Sequence, residues 1–159
     1  MTGSSDAKAE AEAYETALRA QAKKLGMIDP ITGLPIFDLC VIGMGSDGHV
    51  GSLYPNAPTT TTKSTSDSNW VLPYVKPDGS SSISFSHSLM SSAKQIVICC
   101  TGAKKAPAVV TALEMNPPEG SMPAKMIKAI LPSSQITWLV DSSAASALSA
   151  VKGLQLIQP

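Results

Sequence analysis

The stretch Phe37-Asp38-Leu39-Cys40-Val41-Ile42-Gly43-Met44-Gly45-Ser46-Asp47-Gly48-His49 decides the fold. From Phe37 to Ile42 it is an apolar run of strand length, the pattern of a buried strand. The run ends in glycines, an acid and a histidine. Reactive groups therefore gather at the C-terminal end of a strand, where open α/β sheets bind ligands. Glycines allow close approach of the backbone and φ > 0, and successive N–H groups there can form a concave anion site.

Strand and helix patterns alternate around this segment. Upstream, Ala11, Tyr14, Leu18, Ala22 and Leu25 recur at helical spacing, predicting a helix over residues 7–25 that stops at Gly26. Glu15 stands four before Arg19, a modest surface pair. Residues 1–5 read as disordered, residues 29–35 as a turn-rich connector, and residues 56–69 as an exposed Pro/Thr/Ser loop.

Residues 70–75 read as a short strand and Lys76-Pro77-Asp78-Gly79 as a turn. Ser82 to Ser88 alternates, with Ile83, Phe85 and His87 on one face and serines on the other. His87 is read as packing or rim. A short helix over 88–94, a central strand over 95–101 and a helix from Gly102 to Leu113 follow. Pro107 fits that helix only in its first turn. Further on come a loop over 116–121, a helix over 123–130, a strand over 136–140 and a last helix over 142–151. The alternation argues for an α/β fold with a mainly parallel sheet.

The chain has 159 residues, enough for one domain with its own core. It is 43% hydrophobic and 15% charged, with a formal net charge of zero. Nothing in that balance draws it to nucleic acid or to an acidic membrane. Aromatic residues make up only 4%, too few for a base-stacking surface. No apolar stretch approaches the roughly 20 residues of a membrane span. The Ser/Ala/Glu-rich start reads as neither a secretory signal nor a typical transit peptide. Cys40, Cys99 and Cys100 lie in apolar runs and read as reduced core residues of an intracellular protein. Their spacing suggests no zinc site.

The glycine–histidine segment, continued by Ser52-Leu53-Tyr54-Pro55, resembles the signature of the 6-phosphogluconolactonases, with Tyr54 where Phe is usual. Downstream boxes resemble the family in the same order. They are Ile83-Ser84-Phe85-Ser86, Thr101-Gly102-Ala103-Lys104-Lys105-Ala106, Met122-Pro123-Ala124, and Trp138-Leu139-Val140-Asp141 with Ala144-Ala145. The resemblance implies a Rossmann-like three-layer sandwich. It also implies that the chain is a partial domain, lacking the family's N-terminal half with its Ser/Gly-rich phosphate loop. Ser82 stands where the family carries an arginine.

By the same resemblance the activity would be hydrolysis of 6-phosphogluconolactone to 6-phosphogluconate in the oxidative pentose phosphate pathway. The substrate would be a small sugar-phosphate lactone, with no cofactor and no metal. His49 would be the general base. Asp47 would either orient the imidazole or cap the following helix. Gly43, Gly45 and Gly48 would shape the substrate loop, and Lys105 would hold the phosphate. A lysine at a helix N-terminus conflicts with the dipole unless an anion sits there, which supports that role; Lys104 reads as solvated.

Asp141 reads as a cap and Trp138 as core. Ser52 lacks the G-x-S-x-G spacing of a hydrolase nucleophile. Two alternatives stand beside the lactonase. One is a glucosamine-6-phosphate deaminase or isomerase, although Gly51 to Pro55 carries no acid of the kind those enzymes use. The other is a truncated, catalytically impaired member. An incomplete sheet would leave an unpaired edge, prone to self-association or pairing. The expected compartment is the cytoplasm, with a plastid copy as the alternative.

Overall fold

The computed structural model describes residues 6–61, 69–76 and 79–149. The disorder expected of residues 1–5 lies outside these residues, as do most of the loop read after Thr61, the Pro77-Asp78 tip and the end of the last helix.

The first helix is α1 (Ala7–Lys24). Asp6 caps it, its carboxylate accepting from the N–H groups of Lys8 and Ala9. Gly26 ends it with φ +66°. β1 (Phe37–Gly43) then enters the sheet. A single helical turn, α2 (Pro58–Thr61), interrupts the segment expected to be open loop, and Thr60 is buried in it. β2 (Val71–Val75) and β3 (Ser81–Phe85) form an antiparallel hairpin.

The alternation after Ser82 does not continue as strand to Ser88. Ser86 adopts an extended conformation and accepts from the Leu89 N–H, so it caps α3 (His87–Ser91). His87 therefore begins a helix and does not share the face of Ile83 and Phe85. β4 (Ala93–Cys100) is the central strand. A 3₁₀ turn (Ala103–Lys105) leads into α4 (Ala106–Glu114), whose first turn holds Pro107. α5 (Pro123–Met126) is shorter than its pattern suggests, because Ile127 turns extended at ψ 123°. β5 (Gln135–Val140) completes the strands. The expected last helix is instead a series of turns over 142–147.

β1, β4 and β5 form a parallel sheet in the order β1-β4-β5, with Ile42 opposite Ile98 and Ile98 opposite Trp138. The face carrying Ile42, Ile96, Ile98 and Val140 packs on α3, α4, α5 and the turns after β5, forming the main core. α1 lies instead on the hairpin, where Ala11, Ala22, Trp70, Val71 and Leu89 make a second cluster. On the other face of the parallel sheet, Leu39, Val41 and Leu139 are exposed. Parallel sheets normally bury both faces. Among the described residues β1 pairs only with β4, and its free edge borders a groove of about 520 Å³ lined by Tyr14, Leu39, Val41, Ile83 and Phe85.

The Glu15–Arg19 pair is more than a surface contact. Arg19 donates to Oε1 of Glu15 at 2.7 and 2.8 Å, and its guanidinium lies 4.0 Å over the Trp70 ring. Oε2 of Glu15 accepts from the backbone N–H groups of Trp70 and Val71 at 2.8 and 2.9 Å. One carboxylate thus fastens α1 to the start of β2.

Candidate active site

The site lies at the C-terminal ends of β1 and β4. These strands are neighbours, so the segment after Gly43 and the turn after Cys100 emerge side by side. The Met44 N–H donates to the Cys99 carbonyl at 3.2 Å, and the Lys105 ammonium donates to the Met44 carbonyl at 2.7 Å. Lys105 is half-buried against the loop, whereas Lys104 is exposed.

The loop closes on itself. The Gly45 N–H donates to the His49 carbonyl at 2.8 Å, and Gly48 turns at φ +87°. Asp47 spends its Oδ1 on His49 twice, accepting from the backbone N–H at 3.1 Å and from Nδ1 at 2.6 Å. With Nδ1 donating to a carboxylate, a neutral imidazole keeps its lone pair on Nε2. Burial pushes the Asp47 carboxyl up, but the His49 hydrogen bonds and charge outweigh it and hold the group below the usual carboxylate range. Asp47 thus orients the imidazole, and no helix follows for it to cap.

The glycines differ in what surrounds them. A Cβ at Gly45 would collide with Nδ1 and Cε1 of His49 and with Oδ1 of Asp47, so the dyad lies directly on that backbone. A Cβ at Gly48 would collide with Sδ of Met122, and the Gly48 carbonyl accepts from Ala124 N–H at 3.0 Å. Met122 and Ala124 thereby brace the loop from below. A Cβ at Gly43 meets nothing within 4 Å.

Two sets of contacts escaped the sequence reading, an aromatic stack and the ties of Ser52 to β3, while the cap expected of Asp141 forms. The His49 ring stacks on Tyr54 with centroids 4.5 Å apart, and Tyr54 stacks on Tyr74 at 4.9 Å. Ser52 is tied to β3: its N–H donates to Ser84 Oγ at 3.0 Å, and its hydroxyl lies 2.8 Å from that of Ser82. Asp141 caps the turn after β5, accepting from Ala144 N–H at 2.7 Å, and also from Gly102 N–H at 3.0 Å.

Neither Cys40 nor Cys100 offers a thiolate for the chemistry. Burial pushes Cys100 up to about 11 and raises Cys40 as well, so both stay protonated at neutral pH. Among the described residues no group of three or more His, Cys, Asp or Glu side chains is placed to hold a metal ion. No described helix is long and apolar enough to cross a membrane.

This strand–loop–dyad geometry coincides with a family match. Residues 1–138 match the model of the glucosamine-6-phosphate isomerases/6-phosphogluconolactonase. The chain belongs to that family. It is 38% identical over 125 residues to a rice (Oryza sativa subsp. indica) protein named probable 6-phosphogluconolactonase 2, covering 73% of this chain and 41% of that one. It is 34% identical over 148 residues to rice probable 6-phosphogluconolactonase 4, chloroplastic, covering 89% and 43%. The solved 6-phosphogluconolactonase of Trypanosoma brucei superposes with a TM-score of 0.71 at 21% identity, over 94% of this chain and 58% of that one. The fold is therefore the family's α/β fold with a mainly parallel sheet. The chain spans less than half the length of these two rice relatives.

Proposed function

We propose that this chain carries the hydrolytic site of a 6-phosphogluconolactonase, converting 6-phosphogluconolactone to 6-phosphogluconate in the pentose phosphate pathway. The observation that carries the reading is the 2.6 Å His49–Asp47 contact at the end of a parallel strand. Nε2 of His49 takes a proton from water as the water oxygen attacks the lactone carbonyl. The resulting imidazolium is stabilised by Asp47 through Nδ1–H. It then returns a proton to the ring oxygen as the carbonyl–oxygen bond breaks, leaving a carboxylic acid that ionises. Such proton transfer is worth about 10²–10⁴-fold in rate. Lys105, half-buried beside the loop, takes the substrate phosphate by exchanging its Met44 carbonyl for an anion. Gly43, Gly45 and Gly48 let the backbone approach the sugar.

The names of the rice relatives support the substrate class. Gly51-Ser52-Leu53-Tyr54-Pro55 brings no acid to the site, which disfavours deamination of glucosamine 6-phosphate. The open face and free edge of β1 favour one second reading, a member that needs pairing for full activity. Self-association through that edge, a site in the cytoplasm or a plastid, and independence from nucleic acid and membranes belong to the same proposal.

The test sets the purified chain against freshly made 6-phosphogluconolactone and against glucosamine 6-phosphate. Turnover of the lactone alone is expected. Release of ammonia from the amino sugar would overturn the assignment.

A further inference from the structure

We propose that Tyr54 and Tyr74 are positioning residues for His49, through a three-ring stack anchored on the β2–β3 hairpin. Its catalytic consequence rests on the reading of His49 as the base; the stack itself does not.

A hydrogen bond from Nδ1 to Asp47 fixes one point of the imidazole. It leaves the ring free to swing about that contact, and with it the direction of Nε2. A face contact removes that freedom. Tyr54 supplies one at 4.5 Å with planes 30° apart, within the range of favourable ring pairs. A π face also attracts the imidazolium that forms during proton transfer.

The chain is built to deliver this ring. Val50 and Leu53 exchange backbone hydrogen bonds at 3.4 and 2.9 Å, and Gly51 turns at φ +55°, so residue 54 returns beside residue 49. The Tyr54 carbonyl is held by the Thr60 hydroxyl at 2.7 Å and the Ala57 N–H at 3.2 Å. Tyr54 is itself backed by Tyr74 at 4.9 Å, planes 22° apart.

Tyr74 comes from a remote element placed by the serines. In the hairpin register Tyr74 lies opposite Ser82 and Leu72 opposite Ser84. Directly opposed residues share a face. The face that bonds Ser52 through Ser82 and Ser84 is therefore the face that carries Tyr74. The opposite face, with Val71, Ile83 and Phe85, packs on α1. The hairpin is a plate between α1 and the site loop, and it transmits the position of α1 to the plane of His49.

The chain has two histidines, so imidazole resonances are readily assigned, with His87→Gln identifying the other. Tyr54→Phe is expected to leave the His49 ring-proton shifts in place. Tyr54→Leu should move them downfield by removing the ring current. Tyr74→Leu, which deletes a ring that is not stacked on His49, should shift or broaden them. Where the parent turns over lactone, Tyr74→Leu should lower kcat about two- to tenfold with KM unchanged.

Unchanged His49 resonances in folded Tyr54→Leu and Tyr74→Leu would overturn the proposal, as would a rise in KM at constant kcat. A parent chain without turnover would count against the proposed function, while the spectra would still decide the stack.

Discussion

Gly45 and Gly43 stand two residues apart and should answer alanine differently. At Gly45 the new methyl would lie on the His49–Asp47 contact, so the dyad must open. Gly45→Ala is expected to cost lactone turnover at least about tenfold, consistent with loss of an oriented proton-transfer group, and to shift the His49 ring resonances. Gly43→Ala meets open space and should leave those resonances and the melting temperature unchanged. A second residue-scale effect concerns His87. Burial lowers its proton affinity against a weaker opposing hydrogen bond to the Pro123 backbone, and its Nε2 has no hydrogen-bond partner among the described residues. Its folded-state value lies below the unfolded one near 6.5, so below that pH the unfolded chain binds the proton more readily. Stability from this residue is fully present above about pH 6.5 and is lost as pH falls below it. Asp47, held low, loses its contribution only in more acidic solution. Melting between pH 7.5 and 5 should fall in the parent and fall less in His87→Gln. The dyad and Gly45 were legible because they lie within one short run, where sequence spacing is nearly spatial spacing. Tyr74, Ser82 and Met122 were not, because only the packing of distant elements brings them to Tyr54, Ser52 and Gly48 of the site loop.

At the scale of elements, the helix α1 followed from its periodicity and the parallel strands from their apolar runs, whereas the turn α2 and the break-up of the last helix into turns did not. The alternation separates the serines of β3 from Ile83 and Phe85 but does not say what the serine face meets; Ser84 is 7% exposed and bonded to Ser52. A polar face meeting another backbone has the same pattern as one meeting water. The short helix expected over 88–94 forms as α3 over His87–Ser91, and only its start was hidden, by the alternation running through its Ser86 cap. Glu15 looked like half of a surface pair because its spacing to Arg19 is visible in sequence, while its bonds to Trp70 and Val71 are not. Glu15→Ala strips the backbone N–H groups of Trp70 and Val71 of their acceptor. It is expected to destabilise the fold by about 2 kcal/mol, whereas an isolated exposed pair would be worth under about 1 kcal/mol. Chemical denaturation of the two chains measures the difference.

At the scale of the whole molecule, among the described residues, the sheet has an open edge and an exposed apolar face. Leu39 and Val41 are 56% and 63% exposed on β1. Exposed edges template pairing with another chain. Sedimentation velocity should show association that grows with concentration, and Val41→Lys should reduce it by placing a charge on the edge strand. A monomer at all concentrations would remove the grounds for pairing through β1. The α/β class was legible from the alternation of elements, but which sheet face stays open was not, since every strand reads as apolar.

The central claim is that His49 acts as a base held by Asp47 within this chain. The direct test is hydrolysis of freshly made 6-phosphogluconolactone, with the spontaneous rate subtracted, by the folded parent, His49→Ala and Asp47→Asn. Turnover in the parent is expected to vanish in His49→Ala and to fall in Asp47→Asn. Equal rates in the parent and His49→Ala, or no turnover from a folded parent, would contradict it.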